Sequence, residues 1–303
     1  MFEFVIVGAQ KCATTSLYEY LRQCESIAVP EIKEIPYFTD DKIYGDKDKF
    51  DFYFDKDYMK SSKVKGFAYV NISYYYEKIN RLLEINPDVK LIFVVRNRAD
   101  RAYSAYKYAL TRGWECEKCV KLALDIKREA SFKNYWEYSN LTYISHSLYG
   151  EQIEGILEYI PKENLLLVDF EKLKSDPGNV LQETLKFIGG EEEDSKNVEF
   201  KIYNKESGVR SSQFQRLIML DNSIKKIYQF LFPSRLRSFI NKRIVRKVEE
   251  WNRSGNNGLK TEVDKSEFYT EVSAYQHLFD EDSKKIDLQS FNRIGFESDG
   301  IHY

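Results

Sequence analysis

Phe4-Val5-Ile6-Val7-Gly8-Ala9-Gln10-Lys11-Cys12-Ala13-Thr14-Thr15-Ser16-Leu17 sets one lysine and three hydroxyls in a turn between an apolar run and the start of a helical pattern. A strand that empties into a helix N-terminus aims backbone N–H groups and the positive end of a helix dipole at one spot, which makes an anion site. The place of the lysine narrows the choice of anion. In a Gly-x-x-x-x-Gly-Lys-[Ser/Thr] loop the lysine stands six residues after the first glycine. Counted from Gly8, Thr14 holds that slot, Ala13 holds the slot of the second glycine, and Lys11 comes three residues after Gly8. This spacing is not that of a kinase or GTPase loop.

A second segment is equally dense in chemistry. In Pro87-Asp88-Val89-Lys90-Leu91-Ile92-Phe93-Val94-Val95-Arg96-Asn97-Arg98-Ala99-Asp100-Arg101-Ala102-Tyr103-Ser104-Ala105-Tyr106, the unbroken apolar run Leu91 to Val95 fits a parallel strand covered on both faces. Arg96 stands at its carboxyl end, and Ser104 falls about two helical turns further on.

Together the two segments resemble the nucleotide-binding signature of sulfotransferases that use 3′-phosphoadenylyl sulfate (PAPS). The first is similar to the family's 5′-phosphosulfate loop, Gly-x-x-Lys-x-Gly-Thr-Thr-Ser-Leu, with Ala13 where glycine is usual. The second is similar to its 3′-phosphate motif, Arg-[Asp/Asn]-Pro-x-[Asp/Glu]-Arg-Ala-x-Ser, with Arg98 where proline is usual. The resemblance implies that Lys11, the backbone N–H groups of Cys12, Ala13, Thr14 and Thr15, and the hydroxyls of Thr14, Thr15 and Ser16 hold the 5′ end of the donor. It also implies that Arg96 and Ser104 hold the 3′-phosphate, the guanidinium as a bidentate charged fork and the hydroxyl as a further donor. Carbohydrate sulfotransferases close a late loop with a glycine and a basic residue over that phosphate. In Tyr203 to Ser212 this makes Arg210 the candidate, with Gly208 allowing close backbone approach. The similarity covers residues 3–190 well and the remainder loosely; Tyr149 to Ile153 and Phe170 to Pro177 share it as scaffold.

PAPS is a mixed anhydride primed for transfer. The resemblance therefore implies in-line passage of the sulfuryl group to an acceptor hydroxyl or amine, with the protein supplying position and charge and with no metal required. Lys11 is then placed to neutralise or protonate the bridging oxygen. The acceptor proton needs a base within hydrogen-bond reach. Heparan-type sulfotransferases carry a glutamate in a Lys-Glu-x-x-Phe-Phe-like segment, and Lys33-Glu34-Ile35-Pro36-Tyr37-Phe38 resembles it. Glu34 is the expected base, with Lys33 near the sulfuryl oxygens. Enzymes of the family that act on small phenols and steroids use a histidine, and here no histidine precedes His146. In one place the chain departs from the family: Gly66-Phe67-Ala68-Tyr69-Val70-Asn71-Ile72-Ser73-Tyr74 lacks the Glu, Lys and Pro of the usual Gly-Glu-Lys-[Ser/Thr]-Pro-x-Tyr. The expected acceptor is a carbohydrate or glycolipid. The alternatives are a non-carbohydrate small molecule or lipid, a P-loop phosphotransferase, or a non-catalytic protein with a relic loop.

At 303 residues, 43% apolar and 31% charged, the chain can bury a large core. Its net charge of −2 offers no global attraction to nucleic acid or acidic membranes. No stretch approaches the roughly 18 apolar residues of a spanning helix, and a core strand begins by residue 4, so a cytoplasmic, bacterial enzyme is expected, the alternative being a trimmed Golgi-lumen catalytic domain. Cys12, Cys24, Cys116 and Cys119 read as reduced thiols. The Cys116-x-x-Cys119 pair lacks the further ligands a zinc site needs, the histidines being scattered at 146, 277 and 302. The run Arg235 to Val248 is basic and amphipathic: a solvated helix face, or a surface for an anionic glycan, a lipid-linked acceptor or peripheral membrane contact.

Positioning these groups takes strands whose carboxyl ends share one edge. Leu17, Tyr20 and Leu21 predict a helix over Thr14 to Arg22, and Pro30 and Pro36 enforce an extended stretch with Lys33 and Glu34 in a turn. A strand near Gly66 to Val70, a helix near Tyr74 to Ile85, the Leu91 to Val95 strand and a helix over Asp100 to Thr111 follow. A helix over Leu148 to Tyr159, a strand at Leu165 to Val168 and a helix over Asp176 to Ile188 complete the order. The polar stretch 115–140 is the expected acceptor-facing insertion. This alternation implies an α/β fold: a central parallel sheet flanked by helices, a P-loop-like nucleotide-binding architecture with ligands at the strands' carboxyl ends. With no repeat or low-complexity linker, one sulfotransferase domain over 1–303 is expected, with an α/β core over 1–190 and a mostly helical part over 191–303 packed on it.

Overall fold

A computed structural model describes residues 1–115, 117, 119–201, 203 and 264–296. Arg210 and its loop, Cys116 and the basic run 235–248 lie outside the described residues. The chain forms two compact units: Met1–Arg101 with His146–Asn204 and Tyr275–Tyr303, and Ala102–Ser145 with Lys205–Ala274.

The first unit is built on six strands: β1 Phe4–Gly8, β2 Ile27–Ala28, β3 Val64–Ala68, β4 Lys90–Val95, β5 Leu165–Asp169 and β6 Asn292–Ile294. They form one sheet in the order β2-β3-β1-β4-β5-β6, and every pairing is parallel. β1 sits at its centre, with Val5 level with Phe67 on one side and Leu91 on the other. β1 and β5 are buried at every residue, as continuous apolar runs demand when helices cover both faces. The helices of this unit are α1 Thr14–Arg22, α2 Lys47–Tyr53, α3 Lys56–Lys60, α4 Asn80–Leu83, the opening turn of α5 Arg98–Thr111, and, further along, Tyr149–Leu157, Phe170–Ser175, Pro177–Ile188 and Gln276–Ser283. Among the described residues no helix is long and apolar enough to cross a membrane.

Two elements differ from expectation. The stretch read as a helix over Tyr74 to Ile85 is two 3₁₀ turns, Val70–Tyr74 and Tyr76–Ile79, before the short α4. Three consecutive tyrosines, Tyr74 to Tyr76, are poor helix formers, and the Tyr75 N–H bonds three residues back to Ile72. The C-terminal part also contributes a strand, β6, which is too short for its periodicity to show in sequence.

The second unit carries the body of α5, then α6 Val120–Ala123, α7 Ile126–Ser131, α8 Tyr135–Leu141 and, from the C-terminal part, α12 Lys265–Ser273. The remaining helices are thus α9 Tyr149–Leu157, α10 Phe170–Ser175, α11 Pro177–Ile188 and α13 Gln276–Ser283. The expected insertion at 115–140 falls in this second unit. Its interior joins apolar rings, such as Tyr106 stacked on Phe268 at 5.6 Å, to two buried carboxylates. Glu115 accepts both Arg128 nitrogen contacts at 2.8 and 2.9 Å and the Tyr143 hydroxyl at 2.9 Å. Glu129 accepts from the N–H groups of Ile144 and Ser145 and from the Ser145 hydroxyl, bonds that oppose the upward push of burial on its carboxyl.

Candidate active site

Gly8 ends β1 against the Phe93 ring; a Cβ there would come within 2.5 Å of it. Beyond Gly8 the chain turns sharply, with Lys11 and Ala13 both in left-handed backbone at φ 69° and 57°. Glycine adopts that conformation without the Cβ clash an alanine meets, which accounts for the glycine usual at position 13. Ala13 is the N-cap of α1 and brings no side-chain cap, and the first turn holds no acidic residue. The positive end of the helix therefore has neither a side-chain cap nor an acidic residue in its first turn to offset it. Thr14 and Ser16 are buried and Thr15 half-buried in that turn. Cys12 differs from its neighbours: its N–H closes a turn onto the Ala9 carbonyl at 3.2 Å. Its buried thiol lies 3.7 Å from the Tyr149 hydroxyl, and burial pushes the thiol pKa up.

Arg96, at the end of β4, reaches this turn. Its Nη1 donates to the Lys11 carbonyl oxygen at 3.2 Å, and its guanidinium lies 4.4 Å over the Phe170 ring. Its Nε is buried and has no hydrogen-bond partner among the described residues, a donor suited to a phosphate oxygen. One helical turn later the fully buried Arg101 holds Gln10 twice, through the carbonyl at 3.2 Å and the side-chain oxygen at 2.9 Å. Arg101 also donates to the Tyr74 hydroxyl at 3.4 Å, and the Tyr74 ring is stacked on His146 at 3.4 Å.

The Lys33–Glu34 segment is drawn to the same place from α1. The Tyr18 hydroxyl donates to the Pro30 carbonyl at 2.5 Å, and Arg22 donates to the Glu31 carbonyl at 2.9 Å. Burial pushes the Tyr18 phenol up to about 12, so it stays a donor. Glu34 bridges to Ala68 at the end of β3, and its Oε2 accepts the Val70 N–H at 3.2 Å. The other oxygen pairs with Lys33, whose ammonium also reaches the Thr14 hydroxyl at 3.4 Å. The Lys33 side chain is 13% exposed and that of Glu34 44% exposed, so the carboxylate is the more open to an incoming molecule.

The first unit thus holds two hydrogen-bonded sets, Arg96 with Lys11 and Glu34 with Lys33 and Thr14, with Lys11 and Thr14 three residues apart in one turn. Ser104 lies in α5 within the second unit, half-buried. Sequence reasoning assigned no role to Gln10, Tyr74 or Arg101. The three-residue spacing of Arg98 and Arg101 puts both on one helix face, but that spacing alone does not mark the face as buried. Among the described residues no group of three or more His, Cys, Asp or Glu side chains could hold a metal ion.

Several known proteins are similar to this chain. The human bifunctional heparan sulfate N-deacetylase/N-sulfotransferase 3 is 27% identical over 197 residues, 62% of this chain and 22% of that protein. The mouse heparan sulfate glucosamine 3-O-sulfotransferase 3B1 is 25% identical over 191 residues, 61% of this chain and 45% of that protein. The chain therefore spans about a fifth to a half of the length of these relatives. A solved sulfotransferase from Alicyclobacillus acidocaldarius superposes with a TM-score of 0.54 at 25% identity, covering 63% of this chain and 82% of that one. The sulfotransferase domain matches residues 3–252, well over half of the sequence, and the chain belongs to that family.

Proposed function

We propose that this protein moves a sulfuryl group from PAPS to a hydroxyl or amine of a carbohydrate or glycolipid acceptor. The observation that carries this reading is the hydrogen bond from Arg96 to the Lys11 carbonyl, which supports reading the two segments as parts of one anion site. A nucleotide with phosphates at both ends fits that donor set. Lys11 and the uncapped start of α1 serve the 5′ end, and Arg96, with its unused Nε, serves the 3′-phosphate. The human and mouse relatives are named as heparan sulfate enzymes, which supports a carbohydrate acceptor.

When bound, PAPS supplies an activated sulfuryl group. Lys11 neutralises the charge that develops on the bridging oxygen, the kind of preorganised stabilisation worth roughly 2.7–4 kcal/mol per donor. Glu34, held at β3 by the Val70 N–H, takes the acceptor proton. As it does so, Lys33 loses its counter-charge and turns its positive charge to the sulfuryl oxygens, beside Thr14.

Transfer of radiolabelled sulfate from PAPS across a panel of glycans, glycolipids and phenols tests the reading. Incorporation into a glycan or glycolipid is expected. No incorporation anywhere, together with calorimetry in which ATP–Mg binds more tightly than adenosine 3′,5′-bisphosphate, would instead mark a phosphotransferase.

A further inference from the structure

The family match ends at residue 252, yet α13 lies in the nucleotide-side unit and sends one carboxylate into its interior. Asp282 is 3% exposed and Arg98 fully buried, and Arg98 Nη2 donates to Asp282 Oδ2 at 2.8 Å. The same oxygen accepts the Gly150 N–H at 2.8 Å, and Oδ1 accepts the Glu151 N–H at 3.0 Å, so Asp282 also caps the start of α9. Approach is so close that a Cβ on Gly150 would lie 2.3 Å from the Asp282 carbonyl oxygen. Arg98 further lies 5.3 Å over the Tyr149 ring. This arginine stands where the family usually has proline, a residue that asks for no counter-ion.

The junction that Arg98 anchors is short. Arg96 ends the strand side, Asn97 accepts the Asp100 N–H at 3.0 Å as the cap of α5, and Arg98 is the first helical residue. A charge buried at that point is sensitive to its carboxylate partner, because removing one member of a buried ion pair is strongly disfavoured. We infer that the Asp282–Arg98 pair is a positioning lock: a carboxylate from beyond the matched region holds the strand-to-helix junction so that Arg96 meets the 3′-phosphate. This rests on the reading of Arg96 given above.

The test compares adenosine 3′,5′-bisphosphate with adenosine 5′-monophosphate, which lacks the 3′-phosphate, by calorimetry on the full chain. In Asp282→Asn, affinity for the bisphosphate is expected to fall about tenfold while affinity for the monophosphate stays within about twofold. Equal loss for both ligands, or no loss for either, overturns the lock, since a merely structural role would move both together. Arg98→Lys keeps a positive charge against Asp282 and reads the same ratio, with a smaller loss, should Asp282→Asn fail to fold. If the unaltered protein does not prefer the bisphosphate, the reading of Arg96 falls and the lock falls with it; a preference that both variants leave unchanged overturns the lock alone.

Discussion

The Arg96 guanidinium meets Lys11 at its backbone carbonyl, 3.2 Å away, so the strand-end arginine braces the lysine's turn without using the ammonium group. Under the function proposed above, both residues serve one doubly phosphorylated nucleotide. Arg96→Ala is expected to weaken adenosine 3′,5′-bisphosphate binding by about 1.5–3 kcal/mol, the worth of hydrogen bonds to a charged group, as read by calorimetry. Lys11→Ala is expected to leave a folded protein whose sulfate transfer falls about 10²- to 10³-fold.

Glu34 separates binding from chemistry. Glu34→Gln keeps an acceptor for the Val70 N–H but removes the proton acceptor. Nucleotide affinity is expected to hold while turnover drops about 10²- to 10⁴-fold, measured as radiolabelled transfer beside calorimetry on the same sample. Retained turnover would show that another group takes the proton.

At position 13 the alanine sits at φ 57°, where a Cβ costs about 1–2 kcal/mol. Ala13→Gly removes that cost and adds back about 0.4–1 kcal/mol of chain entropy in the unfolded state. A net gain of about 0.5–1 kcal/mol in denaturant unfolding is expected, and a β-branched valine at the same site should destabilise.

His146 supplies the pH dependence. Its imidazole is buried against Tyr74, and burial first, then the nearby Arg101 charge, hold its pKa well below the ordinary value. In the unfolded chain a histidine protonates near pH 6.5, whereas the folded one resists. The unfolded state therefore binds more protons as pH falls, and the stability present above about pH 6.5 is lost at about 1.4 kcal/mol per pH unit below it. Thermal unfolding between pH 7 and 5 should show a steeper decline for the unaltered protein than for His146→Phe. Parallel declines would assign the acid sensitivity to other groups.

Much of the scaffold was legible because its signals are local. The apolar run of Leu91 to Val95 and the stripe of Leu17, Tyr20 and Leu21 correspond to β4 and to α1 over Thr14–Arg22. The junction of Lys11, Lys33, Glu34 and Arg96 depends on parallel strands sharing one edge, and the βαβ order carries that information. Other features lie beyond local pattern. Nothing local in the sequence marks Arg98 and Arg101 as buried, and the carboxylate that pairs with Arg98 is 184 residues away. The helical period of Ile79, Leu82 and Leu83 carried the expected helix back over Tyr74 to Tyr76, where the chain makes 3₁₀ turns instead.

The central claim is that one nucleotide spans the turn at Lys11 and the guanidinium of Arg96. A crystal structure with adenosine 3′,5′-bisphosphate tests it most directly. The account predicts the 5′-phosphate at the start of α1 within hydrogen-bond distance of Lys11 and the 3′-phosphate on the Arg96 guanidinium, in a single molecule. A nucleotide bound elsewhere, or one whose 3′-phosphate points away from Arg96, would contradict it.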